Sequence, residues 1–164
     1  MRVSQTAALP ARSLAVQEAL AAAGVDAAVR VLDDSARTAA QAAAALGCEV
    51  GAIANSLVLV ADGEPLLVMT SGSHRLDLAV VAAAVGATEL PMAKPAEVRD
   101  ATGQAIGGVA PVGHPAPLRT LVDEALADHP LLWAAGGTPH TVVPLTHEQL
   151  LAVTGGTPCR VAAG

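Results

Sequence analysis

Two apolar runs, Ser56 to Ala61 and Pro65 to Thr70, are separated only by Asp62-Gly63-Glu64. A connection that short, with a glycine to take a positive φ, folds the two runs back on each other as an antiparallel hairpin. Within the first run Leu57, Val58, Leu59 and Val60 are continuously apolar rather than alternating. That pattern predicts a strand covered on both faces, so the hairpin belongs in the middle of a sheet. Whatever else the chain forms has to pack around this pair.

The flanking segments supply that covering. Ser13 stands before a stretch with Leu14, Gln17, Leu20 and Ala21 at helical spacing, and Gly24 follows where a helix end belongs. Ala27 to Leu32 has the pattern of a short strand, with turn chemistry after it at Asp33-Asp34-Ser35. Thr38 can cap a helix over Ala39 to Leu46, whose alanines allow close approach to a sheet and which Gly47 ends. Asp77 can cap a third helix to Val85 before Gly86, and Pro95 opens a fourth, Ala96 to Thr102. Leu118 to Val122, Leu131 to Ala135 and Thr141 to Leu145 read as strands, and Thr146 caps a last helix to Thr154 before Gly155-Gly156. The order predicts an α/β (α+β) chain: one domain spanning residues 1–164, core about 10–160, with a mixed, mostly antiparallel sheet and helices packed around it. Although 52% of the residues are hydrophobic, Trp133 is the sole aromatic, so the core must be built from Ala, Val and Leu in close contact.

Several function classes fall away. No apolar run approaches the ~18 residues of a membrane span, and Met1 to Pro10 lacks the apolar segment of a signal peptide, so a cytoplasmic protein without membrane contact is expected. Cys48 and Cys159 form no CxxC pair and are expected to be reduced thiols. His74, His114, His129, His140 and His147 show no HxH or HExxH spacing, so no metal and no cofactor is expected. No Ser or Cys occupies a GxSxG elbow, which leaves covalent catalysis unsupported. The net charge of −6, with Lys94 the single lysine and eight scattered arginines, argues against binding DNA or any nucleic acid through a broad basic face.

The segment Gly107-Gly108-Val109-Ala110-Pro111-Val112-Gly113-His114-Pro115 excludes regular structure. Its glycines let backbone N–H groups approach a ligand, and its prolines stiffen the shape. By itself such a loop serves equally as a rigid surface crossing, and its spacing is that of neither GxGxxG nor a P-loop. His114 in this loop and His140, after Gly136-Gly137-Thr138-Pro139, are the two histidines in stiff, ligand-like settings, able to position a water or donate to a carbonyl.

Four tracts in order, Ala45 to Val58 (with Ala54-Asn55-Ser56-Leu57), Ser71-Gly72-Ser73-His74-Arg75-Leu76-Asp77, the Gly-Gly-Val-x-Pro-x-Gly-His loop, and Gly136-Gly137-Thr138-Pro139, make the chain resemble the YbaK/prolyl-tRNA editing family over about residues 10 to 160. The resemblance implies hydrolysis, in trans, of the ester in a mischarged aminoacyl-tRNA, such as alanine or cysteine on proline tRNA. It implies binding of the tRNA 3′ end, with a synthetase or an elongation factor as helper. It also implies that Gly107 to Pro111 lies against the ester, where backbone donors suit an oxygen that gains charge. On that basis Asn55, Gly107, Gly108 and His114 are the candidate catalytic residues, and Ser71, Arg75, Pro111, Gly113 and His140 the candidate substrate-binding ones. Asn55 stands where editing members of the family commonly carry a lysine, which keeps hydrogen bonding but removes a positive charge. Two alternatives remain: a noncatalytic module that binds an aminoacyl-adenosine-like ligand or a synthetase, and a hydrolase of another small ester.

Overall fold

A computed structural model describes residues 9–32 and 38–162 and the backbone of Val3–Ser4. In chain order the elements are β1 (Val3–Ser4), α1 (Ala11–Ala22), β2 (Arg30–Leu32), α2 (Ala39–Leu46), β3 (Ile53–Ala61), β4 (Glu64–Ser71), α3 (Leu78–Val85), α4 (Pro95–Thr102), β5 (Arg119–Asp123), β6 (Leu132–Ala135), β7 (Thr141–Leu145), α5 (His147–Thr154) and β8 (Thr157–Cys159). Short 3-10 turns at Val50–Ala52 and Glu124–Asp128 lead into β3 and out of β5. One sheet joins the strands in the order β1-β2-β7-β6-β3-β4-β5-β8. The hairpin β3–β4 is antiparallel and sits at its centre, with β3 parallel to β6 on one side and β4 parallel to β5 on the other. The sheet is therefore mixed, with helices on both faces.

Local chemistry explains most boundaries. At the hairpin tip Asp62 (φ 48°) and Gly63 (φ 89°) both take positive φ, the two-residue turn whose twist matches the strands. The Asp62 carboxylate also accepts from the amides of Thr88 and Glu89, tying the tip to the segment after α3. Thr38 and Thr146 accept from the amides of Gln41 and Gln149, completing capping boxes on α2 and α5, and Gly47 and Gly155 close the same helices in the left-handed region.

Four expectations need correction. Ser13 does not precede α1 but lies inside it, fully buried, because Pro10 starts the helix and the Ser13 hydroxyl meets Thr141 Oγ1 at 3.1 Å. The second strand is shorter than Ala27 to Leu32, since Gln17 takes the main chain of Ala27 and Val29 in a side-chain bridge. The strand covered on both faces is β4, buried from Leu66 to Ser71; β3 is buried at Ile53, Ala54, Val58 and Leu59 but exposed at Asn55 and half-buried at Ser56 and Leu57. Finally, β8 was not foreseen: Pro158 and two neighbours add a strand parallel to β5 at the sheet edge, where a proline costs no ladder bond on the solvent side. The Asp33-Asp34-Ser35 turn lies outside the described residues.

Helices α1, α4 and α5 cover one face, packing Val16, Leu20, Val98 and Leu150 with Val58, Met69, Val122 and Val143 of the sheet. On the other face α2 packs Ala42 and Ala43 on Leu32, Ile53, Trp133 and Val142, and α3 packs Val81 on Leu59, Leu66, Val68 and Leu121. Small side chains on α2 bring its axis close to the strands. Among the described residues no helix is long and apolar enough to cross a membrane.

Candidate functional site

The central feature is a fork in the sheet. Strand β3 pairs with β6 only at Ile53↔Trp133 and Ala54↔Ala134, after which the two part. Further along β3, Val58 and Val60 bond away from β4, to Ala93 and Pro91. Strand alternation therefore puts the N–H and C=O of Ser56 on that same open side, facing the gap beyond the last β6 pair.

A cleft of about 310 Å³ fills the fork. Asn55, Ser56 and Leu57 form one wall, Ile106, Gly107 and Val109 of the glycine loop a second, and Thr38, Ala39 and Ala42 of α2 a third. Ala54, Ala134 and Ala135 line its closed end, with Trp133, Pro139, Thr141 and Val142 beside them. None of the described lining residues is ionisable. Among them, polar groups are the exposed Asn55 side chain, hydroxyls, the Trp133 indole and the main chain.

The glycine loop is held in place by a residue that motif reading passed over. Gln104, 2% exposed, donates from Nε2 to the Val112 carbonyl at 3.1 Å and accepts the Ala110 amide on Oε1 at 2.6 Å. Its own main chain is fixed by the buried Thr102 hydroxyl. Gly107 has φ 89° and open space where a Cβ would stand, so it is glycine for its backbone conformation, at the cleft edge. Gly108 is glycine for contact: a Cβ there would lie 2.5 Å from the Thr138 carbonyl carbon. The Gly108 amide closes a turn onto Ala105, and Ile106, Gly107 and Val109 around it line the cleft.

Loop 136–139 is fixed from the other side. Thr141 Oγ1 gathers the Thr138 amide at 3.2 Å, the Thr138 hydroxyl at 3.0 Å and the Ser13 hydroxyl at 3.1 Å, joining α1, β7 and this loop. Two stiff loops thus close on each other at Gly108 and Thr138 beside the cleft.

Of the residues singled out by sequence, the structure brings Asn55 and Gly107 together in the cleft, with Gly108 packed just behind its wall. The others lie elsewhere. Pro111, Gly113 and His114 line a separate hollow with Ala19, Ala23 and Val153. His114 Nε2 is 2.8 Å from the Ala110 carbonyl, and since a carbonyl only accepts, Nε2 carries the proton. Burial pushes its pKa below the ordinary 6.5, against the smaller opposing effect of that hydrogen bond. Ser71 is fully buried, its hydroxyl donating to the Gly51 carbonyl and its amide to Asp123, on the strand behind Ala54. Arg75 is exposed on a shallow surface with Ser73, Asp77 and Leu78, and His140 is exposed past Pro139 without lining the cleft. The lining residues Trp133, Thr38 and Thr141 were not singled out; the one available signal was that Trp133 is the sole aromatic. No group of three or more His, Cys, Asp and Glu among the described residues is arranged to hold a metal ion.

Comparison with known proteins bears directly on this cleft. Residues 33–153, which include every strand and loop that borders it except β2, match the aminoacyl-tRNA editing domain. The chain belongs to that family. A solved structure described as a candidate trans-editing enzyme for prolyl-tRNA synthetase superposes on this editing domain with a TM-score of 0.91 at 44% identity, covering 96% of this chain and 100% of that one. Proline–tRNA ligases are similar over shorter stretches: that of Acidithiobacillus ferrooxidans is 34% identical over 109 residues, 66% of this chain and 18% of the ligase. That of Leuconostoc mesenteroides is 37% identical over 76 residues, 46% of this chain and 13% of the ligase. The editing domain thus spans less than a fifth of the length of these ligases.

Proposed function

We propose that the chain hydrolyses the ester of a mischarged aminoacyl-tRNA that carries a small residue such as alanine or cysteine, and that the fork cleft is where it does so. The observation that carries this reading is the cleft's construction: small apolar residues, Ala54, Ala134 and Ala135, beside uncharged polar groups among its described lining residues. Small lining residues suit a small aliphatic side chain, and in this reading Asn55 and the main chain of Gly107 and Val109 donate to the ester oxygen as it gains charge. Similarity to a candidate trans-editing enzyme supports the same substrate class.

In this reading a water attacks the acyl carbon, its oxygen forming the new bond, and the bond from that carbon to the terminal ribose oxygen breaks. The proton lost by the water goes to the ribose oxygen, leaving the free amino acid and a tRNA with its hydroxyl restored. The described lining residues include no ionisable base, so the water is positioned by main chain and hydroxyls or by the ribose's neighbouring hydroxyl. Asn55 donates a neutral hydrogen bond in place of a lysine's cation. The substrate's 3′ end enters alone, and a synthetase or an elongation factor delivers it.

That same uncharged lining favours a second reading, a noncatalytic module that binds an aminoacyl-adenosine-like ligand. A deacylation assay over a panel of mischarged tRNAs separates the two. Protein-dependent release of alanine or cysteine, lost in Asn55→Ala, is the expected result. Saturable binding of the same tRNAs with no release above the spontaneous rate would establish the binding module instead.

A further inference from the structure

Arg30 has no role in the account above, and its surroundings are unusual. Its guanidinium carbon sits 5.2 Å from the centroid of the Trp133 ring, and Trp133 lines the cleft. Its Nε is shielded from solvent with no hydrogen-bond partner, and no carboxylate pairs with Arg30 among the described residues. A guanidinium that is stacked, partly desolvated and without a counter-charge is a preformed site for a planar anion.

Sheet register places that cation relative to the proposed ester site. Arg30 pairs with Val142, Val142 pairs with Ala135, and Ala135 follows the Ala54↔Ala134 pair, which sets it level with Asn55. Arg30, Val142, Ala135 and Asn55 therefore form one lateral row on the face that α2 covers. Three strand spacings separate the ends of the row, about 14 Å or more between backbones. Val142 is buried under α2, so a bound nucleoside would lie at the open Asn55–Ala135 end of the row, with its 5′ side turned along Trp133 towards the guanidinium.

We propose that Arg30, held against Trp133, binds the phosphate on the 5′ side of the terminal adenosine. The proposal rests on the editing reading of the cleft and names a group that supplies a positive charge absent from its described lining residues. It also accounts for the sole aromatic of the chain, whose ring orients the guanidinium plane.

Because the chain has one tryptophan and no tyrosine, its intrinsic fluorescence reports Trp133 alone. The test titrates adenosine and adenosine 5′-(methyl phosphate), which carries the single charge of an internucleotide phosphate, while following that signal and, in parallel, calorimetry. The wild-type protein should bind the phosphate ester about tenfold or more tightly than adenosine, the size of a charge-assisted contact. Arg30→Gln should erase the difference while leaving adenosine affinity unchanged, and Arg30→Lys should keep part of it. Wild-type affinity for the phosphate ester should weaken as salt rises, and Arg30→Gln should remove most of that salt dependence. Equal binding of the two probes by the wild-type protein, no saturable change with either, or a preference that survives Arg30→Gln would each overturn the proposal. Deacylation is scored separately. If no mischarged tRNA is hydrolysed but the phosphate preference depends on Arg30, the hydrolytic reading fails and the Arg30 site stands. If hydrolysis proceeds and Arg30→Gln leaves KM unchanged, the reverse holds.

Discussion

At the level of single residues the two glycines of the loop make opposite demands. Gly108→Ala places a methyl against the Thr138 main chain, which cannot rotate away as a side chain would. The two loops must separate, so we expect a loss of about 1–3 kcal/mol in urea denaturation and a large fall in deacylation. Gly107→Ala meets no atom and suffers only its positive φ, about 1–2 kcal/mol, with a smaller effect on rate. Reversal of that order would show that loop contact is not what shapes the cleft. Asn55 is exposed, so Asn55→Lys does not bury a charge, and the thermal midpoint should stay close to that of the wild type. The lysine should instead tighten binding of the tRNA end and steepen its salt dependence, which a titration at two ionic strengths would read. His114 offers a pH signature away from the cleft. Its folded pKa is depressed below 6.5, so the folded state takes up fewer protons than the unfolded chain once the pH falls under that value. Its contribution to stability is present above pH 6.5 and is lost as the pH drops through the folded pKa. Urea midpoints of wild type and His114→Gln, compared at neutral pH and near pH 5, should show the variant losing less on acidification.

Among the elements, Gln104 has the largest predicted effect for a residue outside the cleft. Gln104→Leu leaves the Ala110 amide and Val112 carbonyl buried and unpaired, costing about 2–4 kcal/mol, and it frees the loop that carries Gly107 and Val109. Denaturation and deacylation should fall together in this variant. How far these features could be read from sequence follows from the range of the interactions behind them. Elements whose ends are set by local chemistry were legible: Thr38 and Gly47 bound α2, Asp77 and Gly86 bound α3, and Thr146 and Gly155 bound α5 as expected. Those set by distant partners were not. Ser13 belongs inside α1 because Thr141 meets it from a strand far along the chain, and β8 exists because β5 offers an edge. The cleft shows the same division. Asn55 and Gly107 were legible as motif positions, but nothing local says that His114 is held by Ala110 in a separate hollow, or that Gln104 clamps the loop.

For the molecule as a whole, a net charge of −6 limits how many phosphates can be neutralised at once. Naked tRNA should bind weakly and with a shallow salt dependence, and a dissociation constant of about micromolar or below at physiological salt would contradict this. With no ionisable group among the described lining residues, deacylation of an N-acetylated substrate, whose amine no longer titrates, should show no bell-shaped pH profile between about pH 6 and 8. The fork itself has a consequence for how the protein comes into being. Its closed end joins Ala54 to Ala134 in a parallel contact between distant parts of the chain. Such contacts form late and slowly, after the local hairpin β3–β4 has already folded. Until β6 and β7 emerge from the ribosome, the nascent chain displays the bare edge of β3 from Ile53 to Leu57, a ready template for pairing with another strand.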